Sequence, residues 1–145
     1  MNFFAVRDAI AAALRDALPD VAVLTADDLE GVEESAQPTP AVHLIYQSFD
    51  VVSAVPSGKT AQIRQGWMAV CVERHDGAPR KASREVGGRV EPLVNGVLNT
   101  LMGWRHPDTG MRPLILTSPP APKWRRPFYY FPLTFSADAA LEKSK

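Results

Sequence analysis

The paired stretches AVHLIYQSFDVV (41–52) and TAQIRQGWMAVCVE (60–73) decide the fold. Both are rich in β-branched and aromatic residues, the side chains that suit a pleated, half-buried surface. Between them lies SAVPSGK (53–59), where Pro56 and Gly58 supply turn chemistry. The pattern predicts a long β-hairpin. Its root is apolar on both faces from Trp67 to Val72, so both faces there should be covered. Its far end carries Ser48, Asp50, Lys59, Gln62, Arg64 and Gln65. A polar far end predicts an arm over 48–64 with little core burial, projecting beyond the domain.

Outward from the hairpin, residues 3–18 carry Val6, Ile10, Leu14 and Leu18 at four-residue intervals, the stripe of an amphipathic helix that Pro19 ends. VAVL (21–24) reads as a strand. TADDLEG (25–31) reads as one helical turn, with Thr25 as N-cap and Gly31 as stop. EESAQPTP (33–40) is a polar loop and RHDGAPRKA (74–82) a basic one. Val86, Val90, Leu93, Val94, Val97, Leu98 and Leu101 keep helical spacing, with Ser83 as a plausible N-cap, Pro92 as a kink or true first turn, and Gly103 as the end. RPLILT (112–117) and PFYYFPLTFSA (127–137) read as strands. The expected fold is α+β: one domain over 1–145, with an antiparallel or mixed sheet, helices packed on it and a flexible tail from about 138. Val6, Ile10, Leu14, Trp67, Val70, Val94, Leu98, Leu101, Phe131 and Leu133 are the expected core.

The 145 residues are enough for one domain with its own core. At 46% hydrophobic and 22% charged, the chain is too apolar for wholesale disorder. No apolar run approaches the roughly 20 residues of a membrane helix. Arg7, Asp8, Arg15 and Asp16 interrupt the first helix, so the N-terminus reads as a mature cytosolic start. The single cysteine, Cys71, reads as a small buried thiol.

Formal net charge is zero, but it is divided. Residues 1–50 hold nine acids and two bases (−7), and residues 51–130 hold twelve bases and five acids (+7). Asp27, Asp28, Glu30, Glu33 and Glu34 are therefore candidates to face Arg74, Arg80, Lys81 and Arg84 of another copy, head to tail. The alternative is ordinary solvated surface.

No catalytic or ligand motif stands out. His43, His75 and His106 have no zinc-type spacing with Cys71. SGK (57–59) lacks the earlier glycine and following helix of a phosphate loop. KWRRPFYYFPLTFSA (123–137) mixes bases with aromatics, as single-strand binders do. Its aromatics alternate with strand period, however, and Lys123, Trp124, Arg125 and Arg126 remain as a basic loop tip too small for a stacking platform.

The order helix, long hairpin around VPSGK, helix ending VLNTLMGW (97–104) and final strand YYFPLTFSA (129–137) resembles the bacteriophage tail-terminator and tail-completion proteins of Mu-like and lambda-like phages. The likeness covers most of residues 3–137. The resemblance implies a structural virion protein without catalysis or cofactor. It implies a homo-oligomeric ring, often hexameric, that caps the tail tube, stops its polymerisation and meets the head–neck connector. Its partners would be itself, the tube protein and the connector protein, with neither membrane nor specific nucleic acid among them. Interface candidates are the charged residues above with Pro56, Ser57 and Lys59 of the hairpin turn and Trp124, Arg125 and Arg126. Alternatives are another neck or tail joining protein, or a small nucleic-acid-associated factor using the basic loops.

Overall fold

A computed structural model describes residues 3–75, 79–107 and 110–143, and for 79–89 the backbone alone. The elements in chain order are α1 (Ala5–Ala17), β1 (Ala22–Leu24), α2 (Ala26–Leu29), β2 (Ala41–Ala54), β3 (Thr60–Arg74), α3 (Pro79–Leu101), β4 (Ile115–Thr117), β5 (Lys123–Arg125) and β6 (Phe128–Glu142). The fold is α+β. Its mixed six-stranded sheet runs β1-β2-β3-β6-β4, with β5 also paired to β6. Among the described residues only β1 and β2 pair in parallel.

The hairpin forms as the sequence predicts. Gly58 takes φ 73° in its turn, a conformation costly for residues with a Cβ. The turn closes with Val55 N–H donating to the Thr60 carbonyl. At its root both faces are covered. Trp67, Ala69 and Cys71 point into the main core with Val6, Ile10 and Leu14 of α1 and Val97 and Leu101 of α3. Val70 and Val72 join Ala41 and Phe128 in a second cluster on the opposite face. Of the expected core, Val94, Leu98 and Phe131 are only partly buried at its margin.

The short turn α2 has the expected local chemistry. Thr25 N–H and its hydroxyl both donate to the Asp28 carboxylate, at 2.8 and 3.2 Å. Gly31 follows with φ 77°. That capping holds the Asp28 carboxyl below its usual pKa, chiefly through the Thr25 backbone N–H.

Four expectations need correction. The second helix starts at Pro79, not near Ser83, so part of the expected basic loop is helical. Proline suits a first helical position because its missing N–H would have no partner there. Pro92 lies inside α3 on its exposed side, where water can serve the carbonyl that proline leaves without a donor. Lys123–Arg125 are not a loop tip but strand β5. The final strand does not give way to a tail at 138: β6 stays paired with β3 to Glu142↔Thr60. The arm is consequently three-stranded, and Ile63 and Gln65 within it are buried.

Candidate interaction surface

The arm has two chemically distinct faces, set by two bulges in β2. Pairing with β3 shifts between Tyr46 and Ser48 and again between Val51 and Ser53, which leaves Gln47 and Val52 as extra residues. Gly66 lies opposite the first bulge, where an added Cβ would sit 3.1 Å from Ser48 Oγ. The shift puts Phe49 and Val51 opposite Gln65 and Ile63, on the same face as Tyr46 and Trp67. A phenyl cluster of Phe3, Phe4, Tyr46 and Phe49 forms there, with Phe3–Phe49 ring centroids 5.3 Å apart. Gln65 Nε2 donates to the Phe3 carbonyl at 2.8 Å, which ties the root of the arm to the start of α1.

The other face is polar. Ser48, Asp50 and Ser53 lie opposite Gly66, Arg64 and Gln62. Arg64 makes a two-pronged contact with Asp138 of β6 at 2.8 and 3.1 Å. That guanidinium holds the Asp138 carboxyl below its usual pKa, with Arg112 adding to the effect.

Among the described residues, no strand covers either edge of the sheet along the arm. β1 covers β2 only at Ala41–His43, and every residue from Tyr46 to Ala54 is exposed. Phe49, Val51, Val52 and Val55 are apolar and exposed, Val51 at 60%. On the opposite edge, β4 covers β6 only at Thr134–Ser136 and itself exposes Ile115 (63%) and Leu116. Past β4, Arg112 N–H donates to the Asp138 carbonyl at 2.9 Å. These edge residues were missed in the sequence, where Phe49, Val51 and Val52 sit among polar letters and the bulges that re-aim them leave no local signal.

Three of the five acidic candidates find bases in their own chain. Asp27 lies 3.9 Å from Arg7, Asp28 3.4 Å from Arg15 and Glu34 3.8 Å from Arg125. Among the described residues Glu30 and Glu33 have no ion-pair partner. Arg74 ends β3 with its guanidinium 5.6 Å from the Phe128 ring. Arg80, Lys81 and Arg84 lie in the first turns of α3, and their side chains are outside the described residues. Pro56, Ser57 and Lys59 form the exposed hairpin turn, which the chain end meets through Lys143 N–H to the Lys59 carbonyl at 2.8 Å. Trp124 and Arg125 sit on β5 and Arg126 in the turn to β6.

A cavity of about 320 Å³ lies between the acidic loop and β5, lined by residues including Glu34, Gln37, His43, Arg125 and Tyr130. Gln37 Nε2 donates to the Tyr130 hydroxyl, which donates to Glu34, each at 2.9 Å. His43 is buried beside them, Nε2 has no hydrogen-bond partner among the described residues, and burial pushes its pKa down. Burial pushes the Cys71 thiol up to about 12, so it stays protonated and inert at neutral pH. Among the described residues no cluster of three or more His, Cys, Asp or Glu could hold a metal.

The chain matches the phage tail terminator protein family along residues 1–145 and belongs to that family. A phage tail structural role follows, in a component of the virion tail. Comparison with curated proteins found no match.

Proposed function

We propose that this phage tail terminator closes the tail tube as a ring of identical copies, hexameric in the simplest case, which stops tube polymerisation and meets the head–neck connector. The match along the whole chain carries this reading. The shape of the sheet supports it: a monomer that leaves exposed apolar side chains on both edges has surface suited to protein contacts. The basic residues of β5 favour the nucleic-acid alternative little, because Glu34 stands beside Arg125.

The reading is tested in a phage deleted for this gene. Tails should run beyond their normal length and fail to join heads, and supplying the protein in trans should restore both. Tails of normal length that still join heads in the deletion would refute the reading.

A further inference from the structure

Two rows of side chains cross the sheet from one open edge to the other. The register aligns Asp50 of β2 with Arg64 of β3 and Arg64 with Asp138 of β6. Arg112 extends that row through its backbone hydrogen bond to Asp138, and its charge acts on the same carboxylate. Charge therefore alternates across the molecule, negative at the β2 edge and positive at the far edge. The second row is apolar: Tyr46, Trp67, Phe135 and Leu116 are successive register partners. It too ends at both edges in a partly exposed side chain, Tyr46 and Leu116.

Resting on the ring reading, we infer that the sheet continues from copy to copy. The open edge of β2 at 45–54 lies beside β4 and the distal half of β6 of the next copy, and Asp50 of one meets Arg112 of the other. Height is what matches the edges. Ile45 and Ser48 are level with Thr117 and Ile115 through Met68, Thr134, Gly66 and Ser136. Residues 49–54 are level with β6 beyond Ser136. Direction matches as well. β2 is antiparallel to β3, β3 to β6 and β6 to β4, so copies rotated about an axis along the strands bring β2 antiparallel to the neighbouring β4. The contact joins one patch to a different patch, which is the kind that closes rings. Asp50 is the only charge on 45–54, which has neither lysine nor proline, the residues that commonly protect an edge strand. The charged row also fixes register, since a slip of one residue would move Asp50 to the opposite face.

Sedimentation of the full chain, alone and on tail tubes, tests the contact. Asp50→Arg and Arg112→Asp should each weaken self-association about tenfold or more at low salt, and the double exchange should restore it. Both positions are exposed, so the like charges that the exchanges set beside Arg64 and Asp138 should lower melting temperatures only slightly. Independently, a chain with Asp50→Cys and Arg112→Cys should give a ladder of disulfide-linked copies under mild oxidation. Within one copy the two positions are three strand spacings apart, about 14 Å, beyond disulfide reach. A ring that forms while ignoring the charge exchanges and giving no ladder would overturn the edge contact alone. A chain monomeric both free and on tubes would overturn the ring reading and the contact with it.

Discussion

Ending the chain at Ala137 should melt the arm while leaving the domain folded. The deletion removes residues 138–145, of which Asp138–Glu142 face Arg64–Thr60 in five register pairs and Lys143 N–H donates to the Lys59 carbonyl. An antiparallel ladder averages one hydrogen bond per pair, so with the Lys143 bond about six are lost at about 0.5–1.5 kcal/mol each, about 3–9 kcal/mol in all. The Arg64–Asp138 contact adds little, because water screens it. Against this, the cost of ordering six residues, about 1–2 kcal/mol apiece and about 6–12 kcal/mol together, no longer opposes folding. The two ranges overlap and oppose each other, so the net change in global stability should be smaller than either alone. The local effect is larger, because a two-stranded ribbon is marginal on its own. Hydrogen exchange read by mass spectrometry should show protection lost over 48–54 and 60–64 and kept over 67–72. Unchanged protection at 60–64 would refute the idea that β6 braces the arm.

Trp67 is 1% exposed and touches Phe4 and Tyr46, so Trp67→Ala should cost about 3–5 kcal/mol in chemical denaturation. Cys71 should resist Ellman's reagent at pH 8 in the native protein and react promptly in guanidinium, because its thiol is buried and protonated. His43 should make the protein acid-sensitive. Its folded pKa lies below the unfolded value of about 6.5, so the unfolded chain takes up the proton first. Stability is then intact above that pH and falls as pH drops from about 6.5 toward the folded pKa, with a slope of at most about 1.4 kcal/mol per pH unit. His43→Leu should flatten this slope in denaturation curves taken from pH 7.5 to 5; an unaltered slope would assign it to other groups.

How much of the fold was legible depended on how local its cause was. The stripe of α1, the capping turn at Thr25 and the Gly58 turn are each fixed by neighbours a few residues away, and all three stand where the sequence puts them. The end of β6 does not work that way. ADAALEK (137–143) is built of helix-favouring residues, yet 137–142 are strand because β3 offers an edge more than sixty residues away in sequence. Small side chains suit the position: Ala137 and Ala139 are buried in the cluster that contains Met111. The helix start at Pro79 is legible in principle, since proline at a first helical position is a known signal, but Ser83 offers a competing N-cap four residues on.

The same distinction separates the two readings of charge. Counting acids and bases along the chain gives a −7/+7 division that points at docking between copies, but three of the five acids singled out find bases of their own chain. Exposed pairs of that kind stabilise little, and their presence weakens the case for those acids as contacts to a neighbour. The alternation that crosses the sheet at Asp50, Arg64, Asp138 and Arg112 is invisible in a count, because its members lie on three strands and a loop and sum to zero. Its inner members satisfy one another, and its end members are left at the two edges. Register, not composition, thus selects Asp50 and Arg112 as the pair whose exchange should change assembly, and predicts that reversing Glu30 or Glu33, which contribute to neither row, should leave it unchanged.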